Sequence, residues 1–497
     1  MNPLLACLAG TFLLSLAGIG GSVLWPWTVL FVFSALVLAR LLRRSGRDGQ
    51  PWFERRPKMT LFWLCLAVYL STFRWHGGDD IPNSLLPYCI LGHGTLSFDP
   101  FASWADRPDM NDLVKFVHGH WYSTYPVASG VLATPLYIIS ALFRVPPTDV
   151  FLHNLAKISG AVFTAFSAVA VLAILERRCS RRWAMAVALL YAFGSYAFSV
   201  SGQALYSHGP AQLGVALGLL GLLSQSASGA LLSGFGFGLA SAAREDSVFF
   251  LAAAGLFFLF HRRDGLPRFL AGAAVPLGLN LAYWYAATGR PQPPYFGVHA
   301  GQFSALSVRA LSAMLFSPAR GLACFFPAAA FAFFGAGRWR SDPRRRWIAY
   351  YLAACVALWV FYGFRTTWTG GNTFGNRYFA VVCLILALFC AEAEERVRGS
   401  ARLRWAWAAA FAFCVAVHAV GAYFNWPGAQ LTLPQQDAEL WSLRQFPLAA
   451  LFTAQGALGG LGAAKRGAAA SGILGLTVPL AVWMHRLIRP VPPPVSK

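Results

Sequence analysis

Two adjacent carboxylates, Asp79 and Asp80, stand in Trp75-His76-Gly77-Gly78-Asp79-Asp80-Ile81-Pro82, just beyond the apolar run Met59–Phe73. The chain is otherwise short of acid, with 19 Asp+Glu against 40 Lys+Arg in 497 residues. A positioned carboxylate can take the proton of an attacking hydroxyl. The same residues can also cap a helix that begins near Ile81 with Pro82 at an early position. Asp80 is the better placed of the two to cap, which leaves Asp79 freer to act as a base.

A second set of candidates is cationic. Arg244, Arg320, Arg365 and Arg377 fall at the ends of apolar runs, and Arg320 and Arg377 sit in turns marked by Gly and Pro. Guanidinium forks match phosphate oxygens, so four arginines brought together could hold an anion; each alone could instead be an interfacial snorkelling side chain or a salt-bridge partner. His208, in Tyr206-Ser-His-Gly-Pro210, could contact a polar substrate at the mouth of a helix. His118-Gly-His120 has no third ligand at useful spacing. Acids at Asp99, Asp106, Asp109 and Asp112 are compatible with a divalent cation and equally with a solvated loop face, so metal dependence stays open.

The elements that must position these residues are membrane helices. The chain is 57% hydrophobic and 12% charged, with a mean hydropathy of +0.53, outside the range of soluble domains. Many runs approach the length needed to cross a bilayer, and helices are the element that satisfies the backbone there. The net charge of +21 resides in short arginine clusters between apolar runs, including 177–182, 338–346 and 396–404, which is the positive-inside pattern and not a nucleic-acid surface. The nine cysteines lie mostly inside apolar runs without metal-type spacing and read as small core residues.

Taken in order, Pro3–Ala17 and Trp27–Leu42 read as an uncleaved hairpin, and Arg43–Lys58 as a cytoplasmic loop. Met59–Arg74 then leads outward, which puts Asp79 and Asp80 on the extracytoplasmic side. A long external loop over 76–152 follows. Val127–Phe143 is read as an in-plane segment, because then Asn154–Leu175 returns inward and every later arginine cluster falls inside. Later spans are expected at Trp183–Val200, Tyr206–Leu223, Leu231–Ala243, Val248–Phe260, Phe269–Ala287, Leu322–Gly335, Trp347–Phe364, Tyr378–Ala391 and Trp405–Phe424, with further segments at Phe446–Leu461 and Ser471–His485. The fold class is therefore all-α and polytopic, with roughly 13–15 transmembrane helices. Three regions are expected: 1–58 as hairpin and basic loop, 59–392 as the functional module, and 393–497 as C-terminal spans with a Pro-rich tail.

Four passages, in their order and on one side of the membrane, resemble the GT-C superfamily of polytopic glycosyltransferases, including its protein mannosyltransferase and aminoarabinose transferase branches. Gly78-Asp79-Asp80 is similar to that superfamily's acidic pair. Tyr122-Ser-Thr-Tyr-Pro126 with Leu132-Ala-Thr-Pro-Leu-Tyr137 resembles its Tyr-Pro passage. Ser317-Pro-Ala-Arg-Gly-Leu322 looks like a Ser-Pro-x-Arg-Gly-Leu turn, and Trp368-Thr-Gly-Gly-Asn-Thr-Phe-Gly-Asn-Arg-Tyr378 looks like a Trp-x-Gly-Gly-x-x-Phe-Gly-x-Arg-Tyr segment. Where many relatives carry Lys in the Tyr-Pro passage, this chain has Thr124 and Tyr125, and Asp80 stands where many have Glu.

The resemblance implies a membrane glycosyltransferase that takes a sugar from a polyprenyl-phosphate donor to a lipid, glycan or protein acceptor hydroxyl, by inversion in one displacement. It implies a bacterial inner membrane location with the site facing the periplasm. Asp79 would be the base and Asp80 its orienting neighbour. Arg244, Arg320, Arg377, His208, Tyr125 and Tyr378 would contact substrate or phosphate. A transporter or flippase for an anionic lipid-linked glycan is the alternative; it explains outer arginines but needs no base, and transporters place their sites nearer the midplane.

Overall fold

The computed structural model describes residues 55–72, 78, 80–111, 113–291, 300–335, 340, 342, 345–371, 373–424, 439–453 and 463–489. The expected N-terminal hairpin, Asp79, Asp112 and the Pro-rich tail lie outside the described residues. The protein is an all-α polytopic membrane protein. Among the described residues, three helices are long and apolar enough to cross a bilayer on their own, and five shorter apolar helices accompany them.

The first helix, α1 (Pro57–Leu70), opens with Pro at its first position, where the missing N–H costs nothing. Helix α2 (Ile81–His93) also carries Pro in its first turn and ends at Gly94, whose φ of +63° is the left-handed conformation that glycine accepts. The strands β1 (Val114–Val117) and β2 (His120–Ser123) pair antiparallel, with Val117 opposite His120. Positive φ at His118 (50°) and Gly119 (86°) closes this two-residue hairpin. Two short helices, α3 (Ala128–Ala133) and α4 (Ile138–Leu142), flank a 3₁₀ turn at Thr134–Tyr137. The longest helix, α5 (Asp149–Leu175), is capped by Thr148, whose Oγ1 accepts from the Phe151 N–H at 3.4 Å.

Two contacts fix α1 against α5. Lys58 meets Glu176 at 3.2 Å at one end. Towards the other, Lys157 is fully buried and donates to Thr72 Oγ1 (3.0 Å), the Gly202 carbonyl (2.9 Å) and Gln203 Oε1 (2.8 Å). The helices are therefore antiparallel, so the chain between them leaves and returns on one side. That agrees with Val127–Phe143 making no net crossing. The segment is broken at Thr134-Pro135, and Ile139, Leu142 and Phe143 are 69–77% exposed, the surface an in-plane segment presents to lipid. The segment between α1 and α5 contributes to a second core, in which Phe98, Met110, Val114 and Tyr137 join Leu85, Leu152 and Trp284.

Beyond α5 come α6 (Arg181–Phe193), α7 (His208–Leu223), α8 (Ala227–Ala243), α9 (Val248–His261) and α10 (Leu266–Thr288). Small residues let α7, α8 and α10 approach backbone to backbone. A Cβ added at Gly234 would lie 1.8 Å from the Phe269 carbonyl oxygen, and one at Gly236 would lie 2.3 Å from the Gly218 nitrogen. Next are α11 (Val308–Phe316), α12 (Trp347–Gly363), α13 (Ala380–Phe389), α14 (Ala401–Tyr423) and α15 (Ala463–Leu487).

Two expected spans differ among the described residues. The helix over Trp183–Val200 ends at Phe193, before a π-helical stretch at Ala197–Ser201. Leu322–Gly335 is not a continuous α-helix: a single turn, Leu322–Phe325, gives way to a 3₁₀ stretch at Pro327–Gly335. Pro327 has no N–H to continue the α ladder, and Phe326 has left helical geometry with φ −136°. Three of the arginine clusters do converge at one end of the molecule. Arg178 and Arg345 hold Glu392 at 3.1 and 2.8 Å, and Arg398 holds Glu394 at 2.8 Å, with the Ser180 hydroxyl also donating to Glu394.

Candidate active site

At the end of the bundle opposite those clusters, a cavity of about 180 Å³ opens among α2, α7, α8, α9 and α12 and the segment before α13. Arg244 enters from the C-cap of α8, Arg365 from just beyond α12, and Arg377 from the last turn before α13. His208 begins α7 and Tyr125 comes from the segment between α1 and α5. Six of the residues expected from the sequence, these five and Tyr378, thus share one cavity.

Its cationic wall is built on aromatic rings. Tyr362 and Tyr378 stack with centroids 4.1 Å apart and 6° between planes. The guanidinium carbons of Arg244 and Arg365 lie 5.4 and 5.6 Å from the Tyr378 ring centroid, within cation–π range. Arg244 donates to Asp246 Oδ2 at 2.8–2.9 Å, to Tyr362 Oη at 3.0 Å and to Ser207 Oγ at 3.4 Å. Tyr362 in turn gives its hydroxyl proton to Asp246. Arg365 is held by Gln302 Oε1 at 2.8 Å, and Thr367 donates to the same oxygen at 2.8 Å.

Arg320 takes another role. It is buried and donates to the carbonyls of Gly371 (3.2 Å), Thr373 and Gly375 (2.5 Å). It does not line the cavity, because its turn aims the side chain at the backbone of the next Gly-rich segment. That segment turns through positive φ at Gly370 (85°), Gly371 (72°) and Gly375 (59°), a conformation glycine adopts without strain. Asn376 closes it, accepting from the Tyr378 N–H at 3.2 Å and donating to the Trp368 carbonyl at 3.1 Å. Arg377 and Tyr378 are thereby presented to the cavity.

Of the acidic pair, Asp80 is described. It occupies the position before α2 but makes no side-chain cap bond. It is 1% exposed, neither carboxylate oxygen has a hydrogen-bond partner, and His153 Nδ1 lies 3.9 Å away. The capping role expected for it is therefore not what its side chain does. Asp80 does not line the cavity, but Asn83, one turn further along α2, does, and donates to the Leu205 carbonyl at 3.1 Å. The Lys157 bond to Thr72 ties down the end of α1 from which the chain proceeds to this pair.

His120 and the loop acids Asp99 and Asp109 are held in pairs within the loop. Asp99 accepts from the Trp121 N–H (2.8 Å) and Ser97 Oγ (2.7 Å) and pairs with His120 Nδ1 (2.6 Å). Burial raises its carboxyl, but these bonds outweigh it and hold the group below the usual carboxylate range. Asp109 and Asp149 pair with Arg107 at 2.8 and 3.3 Å. Among the described residues no three His, Cys, Asp or Glu side chains gather as a metal site. Sequence reasoning passed over Glu245, Asp246, Gln302 and Tyr362. The acids beside Arg244 were the available signal; Gln302 stands in a stretch with none.

No family model matches the sequence, and no curated protein is significantly similar to it. Among solved structures, the crystal structure of ArnT from Cupriavidus metallidurans bound to undecaprenyl phosphate superposes with a TM-score of 0.51 at 15% identity, covering 87% of this chain and 77% of that one. The oligosaccharyltransferase AglB from Archaeoglobus fulgidus gives 0.43 at 13% identity, over 89% of this chain and 57% of its own. The arabinosyltransferase EmbB from Mycobacterium smegmatis gives 0.43 at 15%, over 93% and 44%. The chain thus spans about half the length of the last two. The likeness to ArnT is one of fold, and by it the chain is a polytopic membrane protein of the GT-C fold.

Proposed function

We propose that the protein is a membrane glycosyltransferase that moves a sugar from a polyprenyl-phosphate donor to an extracytoplasmic acceptor hydroxyl. The observation that carries this reading is the cavity wall of Arg244, Arg365 and Arg377 with His208, Tyr125 and Tyr378, next to the first turn of the helix that follows the acidic pair. ArnT, whose fold the chain shares, was crystallised with undecaprenyl phosphate, a ligand of the chemistry these arginines suit. As the anomeric bond breaks, charge grows on the departing phosphate, where fixed guanidinium groups are most effective. Asp79 is the base that takes the acceptor proton, and inversion follows from a single displacement. Adjacent Asp79 and Asp80 do not suit a retaining scheme, which needs carboxyls ~5 Å apart flanking the sugar. The basic clusters suit the cytoplasmic side, which supports an extracytoplasmic cavity, on this reading the periplasmic face of a bacterial inner membrane.

The test is transfer by purified protein supplied with polyprenyl-phosphate sugar and membrane extract. Asp79→Asn is expected to lower kcat by about 10²–10⁴-fold while the folded protein still binds the donor. Near wild-type turnover in that variant removes Asp79 as the base. Lipid translocation without transfer from any donor would make the protein a transporter.

A further inference from the structure

Resting on that reading, we propose that Glu245 is a carboxylic acid that shares its proton with a phosphate oxygen held by Arg244, Arg365 and Arg377, and gives it to that oxygen as the sugar departs.

Glu245 lines the same cavity as the three arginines. Its Oε1 is buried and has no hydrogen-bond partner. The neighbouring Asp246 is already engaged by Arg244 and by the Tyr362 hydroxyl. Of the two acids on this turn, Glu245 is the one with a buried oxygen that lacks a hydrogen-bond partner. Three guanidinium groups against the one engaged carboxylate leave the wall with positive charge for an incoming phosphate. An ionised Glu245 would repel that phosphate, whereas a protonated one donates to it.

The groups facing Glu245 set its state. Asp246 and Arg244 flank it on its own turn, and His208 from the start of α7 and Tyr206 just before it line the same cavity. Tyr362 and Arg365 come from the end of α12, Arg377 and Tyr378 from the segment before α13, and Tyr125 from the segment between α1 and α5. Burial raises the Glu245 carboxyl most, Asp246 adds to this, and Arg244 and Arg365 oppose it, for a value of about 7. Such a group is part protonated at neutral pH, near the second ionisation of a phosphate monoester at about 6. Donor and acceptor are thus matched for transfer.

The step balances. The bond from the anomeric carbon to the phosphate oxygen breaks, and its electron pair goes to that oxygen. The acceptor oxygen bonds to the anomeric carbon and its proton passes to Asp79. The proton of Glu245 passes to the departing oxygen, giving polyprenyl phosphate as a monoanion and Glu245 as carboxylate, which is later reprotonated by water.

The test measures binding of a short-chain polyprenyl phosphate to full-length protein in detergent from pH 5.5 to 8.5. Wild type is expected to lose about tenfold in affinity per pH unit above about 7, one shared proton being lost. E245Q, which keeps a donor that does not titrate, is expected to show a profile at least tenfold flatter over that range, with unchanged melting temperature. E245D, which keeps an acid, is expected to stay pH dependent. In transfer assays E245Q should reduce kcat about 10²-fold with KM little changed. Coincident binding profiles for wild type and E245Q would overturn the proposal, as would competition by inorganic phosphate equal to that by the lipid. If wild type transfers no sugar from any donor, the transferase reading fails, and the binding profiles still decide the role of Glu245 by the same criterion.

Discussion

The rings of Tyr362 and Tyr378 stack face to face, 4.1 Å apart and within 6° of parallel, and Arg244 and Arg365 both lie against the Tyr378 ring. This joins the end of α12 to the Gly-rich segment 370–377 and gives two cations one aromatic platform. Tyr378→Ala is expected to raise the donor KM about tenfold, two cation–π contacts of about 0.5–1 kcal/mol each being lost. Tyr378→Phe should stay close to wild type. Steady-state kinetics on the two variants check this.

Arg320 and Arg377 stand in motifs of similar appearance, yet they should fail differently. Arg320→Ala strands three carbonyls inside the protein and is expected to lower stability by about 3 kcal/mol, read as a fall in melting temperature. Arg377→Ala should leave the melting temperature near wild type and weaken binding of polyprenyl phosphate. An equal loss of stability in both variants would contradict the division of labour seen in the structure.

The helix seam makes a sharper prediction. Gly234→Val would force a side chain into the Phe269 carbonyl, 1.8 Å from the position of the first added carbon, and should abolish folded, detergent-stable protein. Gly278→Ala, in α10, meets nothing within 4 Å and should be neutral or stabilising by about 0.5–1 kcal/mol. Size-exclusion profiles of the two variants separate these outcomes.

The Asp99 anchor should be acid-sensitive. A carboxyl held below its unfolded value contributes stability above that value, and the contribution is lost as pH falls through the folded value. The β1–β2 hairpin is expected to loosen when pH drops below the usual carboxylate range, and Asp99→Asn should loosen it at neutral pH. Amide exchange at Trp121, whose N–H Asp99 accepts, reports both.

Much of the bundle could be read from apolar runs and arginine clusters. The ends of α5, α7, α8, α10, α12 and α14 fall within a few residues of the expected ones, apart from the earlier starts of α5, α8 and α14. Leu322–Gly335 misled because hydropathy records composition and not the hydrogen bond that Pro327 removes. At the site, Arg244 and Arg377 announced themselves by breaking the positive-inside pattern. Arg320 did so too, but a motif marks a turn without saying which way its side chain points. Glu245 was hidden because an acid beside an arginine reads first as its counter-ion, and in the structure Asp246 fills that role. Gln302 reaches Arg365 across 63 positions of sequence, a pairing no local pattern records.

On the proposed reading, the buried Arg320 fork bears on how the cavity would meet an anionic headgroup. With the carbonyls of Gly371, Thr373 and Gly375 gripped from behind, the arm bearing Arg377 is held by contacts within the protein itself. Association then needs little rearrangement of that arm, and selectivity rests on how well an anion fits a fixed spacing of charges. An anion of the wrong shape would be rejected by geometry, with no slack in the loop to accommodate it.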